Sequence, residues 1–140
     1  MRAKVFIDTS ALYALADLGD ENHARARSTY GELLKQKTLF TLTDHVLAET
    51  ATLIRRRLGY KAGRAFLQRM DKLTGIGLFT VVFANRERLA RARQIFEEIP
   101  ASRLSFVDAL SFAVMRELRL VRFFAFDEHF LAAGFESVDV

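Results

Sequence analysis

The sequence predicts an α/β fold, a three-layer sandwich whose central, mostly parallel sheet of about four to five strands is flanked by helices. Three observations carry this. Short, continuous apolar runs rich in β-branched and aromatic residues stand at 5–7 (VFI), 78–83 (LFTVVF) and 123–126 (FFAF), the pattern of strands covered on both faces. Helix-period segments separate these runs, as in right-handed β–α–β crossovers. The chain has 140 residues, 51% of them hydrophobic, which suits one domain over 1–140 with enough apolar mass for a core.

Taken in order, the first strand KVFI runs straight into Asp8, a residue type able to cap a helix beginning near Thr9. Helical patterns follow at about 22–36, 45–58, 61–73, 86–98 and 105–118. A weaker run at 38–42 (TLFTL) and the tail 137–140 (SVDV) are candidates for the remaining strands. Within 45–58, Leu47, Ala51, Ile54 and Leu58 recur at helical spacing; near the last helix, Leu104, Phe112 and Met115 share a face. Gly19 falls in the polar turn DLGDEN, Gly59 is placed to end a helix, and the single proline, Pro100, lies in the loop IPASRL between two helices. There is no internal repeat and no low-complexity tract.

Composition excludes several functions. Without cysteine there is no disulfide, thiolate zinc site, iron–sulfur cluster or cysteine nucleophile. Basic residues outnumber acidic ones 21 to 17, a net charge of +4 and a pI near 9.8, which fits a nucleic-acid partner and equally fits ordinary solubility. No apolar run approaches the ~20 residues that span a bilayer, and MRAKVFIDTS lacks a signal-peptide core. A soluble, cytoplasmic protein with no membrane partner is expected. A dinucleotide fold needs a glycine-rich turn after the first strand, and none exists. An Asp-x-Asp phosphatase is broken by Ser10, and a phospho-receiver by the absence of an Asp after VVFAN.

Four carboxylates carry chemistry. Open α/β sheets bind ligands outside the carboxyl ends of their strands. Asp8 follows KVFI and Asp127 follows FFAF, so both belong at that edge if the strands are parallel. Glu49 lies one turn into the helix after the second strand, and Asp108 in the first turn of the helix opening LSFVDAL. Each has a plainer role: Asp8 and Asp127 as helix caps, and Ser105-Phe106-Val107-Asp108 as a capping box. Glu49 differs, sharing a face with Val46 and Leu53 and having no Lys or Arg at i±3 or i±4. An unpartnered carboxylate is costly to bury unless it holds a metal. Capping explains three residues separately; a shared metal site explains all four. Oxygen ligands alone select Mg²⁺ or Mn²⁺, and a polynucleotide phosphodiester supplies the anionic oxygens such a site lacks. Two such ions could activate a water and stabilise the leaving 3′ oxygen.

VFIDTSAL, Glu49 in LAET, LSFVDALSFAV and FFAFDEHF resemble the four acidic motifs of the PIN domain, in order and approximate spacing over essentially the whole chain. They resemble in particular the toxin ribonucleases of VapBC-type toxin–antitoxin pairs. The resemblance implies that Asp8, Glu49, Asp108 and Asp127 are the catalytic, metal-holding acids, and that Ser10 or Thr9, with Ser105, orients water, metal or phosphate. It further implies an endoribonuclease, a homodimer and a small antitoxin partner. The alternatives are a PIN nuclease that processes RNA without an antitoxin, and a catalytically silent RNA-binding or interaction module.

Between Thr50 and Met70 stand Arg55, Arg56, Arg57, Lys61, Arg64 and Arg69 with no acid. The run is a solvated helical face or a surface that tracks RNA phosphates; Arg55, Arg56, Lys61 and Arg64 are the RNA-binding candidates. His23, His45 and His129 lack ligand spacing, although His129, two residues past Asp127, can reach the rim of an acidic site.

Overall fold

The computed structural model describes residues 2–101 and 103–138. β1 (Lys4–Ile7) leads into α1 (Thr9–Ala16) and α2 (His23–Lys35). β2 (Leu39–Thr43) is followed by α3 (Asp44–Leu58) and α4 (Tyr60–Gly75). After β3 (Phe79–Val82) come α5 (Arg86–Glu98) and α6 (Phe106–Glu117), then β4 (Arg122–Phe124), α7 (His129–Ala132) and β5 (Glu136–Ser137). The five strands form one parallel sheet in the order β3-β2-β1-β4-β5. The chain moves outward from β1 through β2 to β3, then returns to β1's other side with β4. With right-handed crossovers the helices before and after that return fall on opposite faces. The reversal between β1 and β4 is the switch point at which such sheets open a crevice.

The α/β class and the parallel sheet are as expected, and several elements differ in detail. The weak run at 38–42 becomes the interior strand β2, paired on both sides, with Phe40 and Leu42 wholly buried. Its threonines hid it from a hydrophobicity reading; Thr41 and Thr43 are buried too, and the Thr43 hydroxyl caps α3 by accepting from the Val46 amide at 3.0 Å. The stronger run at 78–83 yields only the edge strand β3, whose residues are not covered on both faces, and Phe83 is exposed. FFAF is strand only to Phe124, so Asp127 stands beyond a short bend rather than directly after the strand. The tail contributes Ser137 to β5; residues 139 and 140 lie outside the described residues. Two further helices, α1 and α7, flank the sites of Asp8 and Asp127.

Local signals act where they were expected. Gly59 ends α3 and opens α4 at φ +100°, a backbone state that only glycine adopts without strain. Of the Leu47, Ala51, Ile54 and Leu58 face, Ile54 is buried and Leu58, the last residue of α3, is exposed. Leu104, Phe112 and Met115 are all buried. The core centres on α6, buried without interruption from Asp108 to Met115, and on an aromatic knot. Phe130 packs on Phe112 (5.0 Å between centroids, edge-on), Phe123 (5.0 Å) and Phe6 (6.0 Å). That knot anchors α7, and with it the residues either side of Phe130.

Candidate active site

At the crevice between β1 and β4, residues from five segments line one cleft of about 460 Å³ that includes Asp8, Glu49, Asp108 and Asp127. All four acids reach it, but not equivalently. Asp8 is the N-cap of α1: its Oδ2 accepts from the Ser10 amide (3.4 Å) and the Ser10 hydroxyl (3.2 Å). The same Ser10 hydroxyl accepts from the Phe126 amide at 2.9 Å, and the Asp8 amide donates to the Phe124 carbonyl at 3.0 Å. Ser10 therefore stitches the end of β1 to the bend leading to Asp127. Thr9 also lines the cleft, but its hydroxyl is engaged elsewhere. Its hydroxyl donates to the Val46 carbonyl (3.4 Å) and accepts from Thr50 (3.0 Å), tying α1 to α3.

Asp108 is buried and completes the capping box of α6. The Ser105 hydroxyl accepts from the Asp108 amide at 3.0 Å, and Asp108 Oδ2 accepts from the Ser105 amide at 3.4 Å. Asp127 Oδ1 accepts from the His129 amide at 2.8 Å, a short Asx-type turn into α7. Capping and convergence are thus not rivals, since the carboxylates that bond to these helix starts also line the one cleft.

Glu49 departs from expectation. It is exposed at the rim, not buried on an apolar face, and its position follows from the rotation of α3 that puts Val46 and Thr50 inside. Its lack of an intrahelical partner reflects access to solvent rather than an apolar setting.

Electrostatics marks the inner acids. Burial, followed by the charge of Asp108, raises the Asp8 carboxyl from 3.8 to about 7. Burial and then the charge of Asp127 raise Asp108. Carboxylates crowded out of water resist ionising together, and a divalent cation removes that penalty. The donor set fits one: among the described residues, the group whose ligand atoms all lie within 4.8 Å of one another is Asp108, Asp127 and His129.

His129 is not among the residues lining the cleft, but it contacts two of its acids directly, with Nδ1 3.3 Å from Asp108 Oδ2 and 3.1 Å from Asp127 Oδ1. Sequence reasoning also missed Asp20, Asn22 and Arg103 on the cleft wall; Arg103 comes from the α5–α6 turn, and no local pattern points to it. Of the basic run, Arg57 alone lines the cleft, its guanidinium over the Tyr13 ring at 5.1 Å. Arg55 lies over Tyr60 at 5.0 Å, and Arg55, Arg56, Lys61 and Arg64 are exposed outside the cleft.

The Asp108 arrangement predicts a stability result. Asp108→Asn keeps a capping acceptor and removes a charge crowded against Asp127. Its metal-free melting temperature at pH 8 should equal or exceed that of the parent. Asp108→Ala removes the same charge but also the acceptor for the Ser105 amide, and should be about 1 kcal/mol less stable than Asp108→Asn. A loss of that size in the Asn variant would show that the capping bond needs the charged carboxylate.

The PIN domain family model matches residues 5–136. The chain is 37% identical over 137 residues to the 23S rRNA-specific endonuclease VapC20 of Mycobacterium tuberculosis, strain CDC 1551 / Oshkosh, covering 96% of this chain and 97% of that protein. The protein of the same name in strain ATCC 25618 / H37Rv matches identically. The crystal structure of M. tuberculosis VapC20, described as a sarcin–ricin loop cleaving toxin, aligns with a TM-score of 0.81 at 32% identity, covering 94% of this chain and 95% of that one. PAE2754 from Pyrobaculum aerophilum aligns with a TM-score of 0.60 at 24% identity, covering 99% and 91%, and bears on the fold alone. The chain belongs to the PIN-domain family of metal-dependent nucleases, as a VapC-type member.

Proposed function

We propose that this chain is a divalent-metal-dependent endoribonuclease that cuts a structured loop of ribosomal RNA, as the toxin of a toxin–antitoxin pair. The observation that carries the reading is the meeting of Asp8, Asp108 and Asp127 in one crevice, with Glu49 on its rim, in a chain of this family. The similarity to VapC20 over nearly the full length of both chains supports the substrate class.

In this reading Asp108 and Asp127 hold the cation, Mg²⁺ or Mn²⁺, with Asp8 behind them and Glu49 at the entrance. A bound divalent ion would neutralise phosphate oxygens and polarise an attacking water. The remaining work falls to the chain itself. Ser10 fixes the Asp8 carboxylate, Ser105 fixes Asp108, and the Thr9–Thr50 contact holds α1 against α3. Without a cation the crevice repels an RNA backbone. Arg57 and Arg103, lining the same cleft, are the groups placed to receive phosphates beside it.

The test is cleavage of an end-labelled stem–loop bearing the sarcin–ricin sequence by the purified chain, with an unrelated stem–loop as control. A single cut dependent on Mg²⁺ or Mn²⁺ is expected. Full cleavage in excess EDTA overturns the mechanism. A prediction separates the basic residues: reversing Arg57 and Arg103 together should weaken RNA binding about tenfold or more and flatten its salt dependence by about two ions. The same reversal at Arg56 and Arg64 should change it less. Equal effects would return the cleft arginines to a solvated face.

The reading includes a cytoplasmic homodimer and an antitoxin. Among the described residues no helix is long and apolar enough to cross a membrane. Phe96 and Phe106, partly exposed with rings 5.7 Å apart, offer apolar surface for a second copy. A groove of about 550 Å³ lined by Leu12, Leu15, Leu18, Phe66, Met70 and Leu73 suits the apolar side chains of a partner segment. If such a segment also points a basic side chain into the acidic crevice, partner and metal compete. Calorimetry should then show partner affinity falling as Mn²⁺ rises; indifference to metal, with inhibition retained, would place inhibition away from the acids.

A further inference from the structure

We propose that His129 is a ligand of the metal centre, so that the site holds a nitrogen donor and takes Mn²⁺ in preference to Mg²⁺. The inference rests on the metal-dependent reading above and names a donor outside the four acids.

The geometry points to it. His129 Nδ1 stands 3.1 Å from Asp127 Oδ1 and 3.3 Å from Asp108 Oδ2. Two ligands at right angles around a cation at ~2.1 Å stand ~3.0 Å apart, so both separations are close to those of neighbouring ligands on one ion. Among the described residues no other trio of possible ligands is this compact, and Asp8 and Glu49 fall outside it.

The imidazole is also held in place. Its own amide is bonded to Asp127 Oδ1 at 2.8 Å. Its neighbour Phe130 is wholly buried among Phe6, Phe112 and Phe123. The ring is partly covered, with 22% of its side chain exposed, and its Nδ1 faces both carboxylates. A surface histidine acting only as a counter-charge would need no such anchoring, and an incoming dication would expel it. A neutral imidazole that donates its Nδ1 lone pair would stay. Imidazole suits first-row transition ions better than the hard, water-retaining Mg²⁺.

The test uses the full chain, stripped with EDTA and reloaded with Mn²⁺, and reads nitrogen coordination by pulsed electron paramagnetic resonance. Directly bound ¹⁴N modulation is expected in the parent and its loss in His129→Gln. By competition titration, the preference for Mn²⁺ over Mg²⁺ should fall about tenfold in the same variant, an effect comparable to removing a supporting residue at a metal site. Bound Mn²⁺ without ¹⁴N modulation in the parent overturns the proposal and leaves the carboxylate site standing. Modulation that persists in His129→Gln assigns the nitrogen to another histidine and overturns it equally. No Mn²⁺ binding at all defeats both this inference and the metal-dependent reading. The parent spectrum decides the matter even if the variant folds poorly.

Discussion

Asp8→Asn is expected to lower RNA cleavage by at least about 10²–10³-fold while making the metal-free protein more stable above neutral pH. The two effects share one cause. The Asp8 carboxyl is raised from 3.8 to about 7 by burial and by Asp108. Well below pH 3.8 it is protonated in both folded and unfolded chains, and its titration costs no stability. As pH rises the unfolded chain ionises first, so stability falls until about pH 7 and stays lowered above it. The full penalty is about 4 kcal/mol as an upper bound. An asparagine cannot ionise, yet it can still cap α1. At pH 8 and in EDTA the variant should therefore melt above the parent, whereas at about pH 3, well below the ordinary value of 3.8, the two should nearly coincide. Thermal melts at both pH values, with cleavage assays on the same preparations, check this. An Asp8→Asn protein that cleaves RNA normally would remove Asp8 from the site. One destabilised at pH 8 would show that the carboxylate's bonds to Ser10 outweigh its crowding.

Divalent metal is expected to stabilise the parent strongly and in a pH-dependent way. At a concentration about 100 times the dissociation constant, a ligand of the folded state alone adds about 2.7 kcal/mol. That corresponds to roughly 8–12 °C for a domain of this size. The gain should be largest near pH 7.5 and shrink toward pH 5.5, because protons then compete with the cation for Asp8 and Asp108, both of which ionise late. Asp127→Asn should lose most of the gain, since Asp127 is one of the compact donor trio. Scanning fluorimetry with Mn²⁺ across this pH range is sufficient. A metal shift that persists undiminished in Asp127→Asn would place the cation elsewhere.

These expectations depend on features that were legible in the sequence to different degrees. KVFI and FFAF are hydrophobic runs with an acid just beyond each, and parallel strands put their ends on one edge whatever else the chain does. Asp8 and Asp127 were readable for that reason. Asp108 was readable as a capping box, a signal confined to four residues. The strand at 38–42 was nearly missed. Its threonines lower its hydrophobicity, yet hydroxyls can be buried in a sheet when a helix start lies close enough to bond them, as Thr43 shows with Val46.

Residue types, short periodicities and caps are local, and from them alone came the α/β class, the parallel sheet, the order of the four acids and the family they resemble. The tertiary structure decided the rest. It rotated α3 so that Glu49 faces solvent while Val46 and Thr50 face inward. From the run of six basic residues it brought only Arg57 to the cleft, and it added Arg103 from a turn on another element. It also set His129 between two carboxylates, through a backbone bond to Asp127 and the burial of Phe130. Each of these depends on how one element is turned against another that is distant in the chain. A 3.6-residue period reports that a helix has an inner face, but the direction of that face is set by packing against neighbours whose positions follow from the strand order.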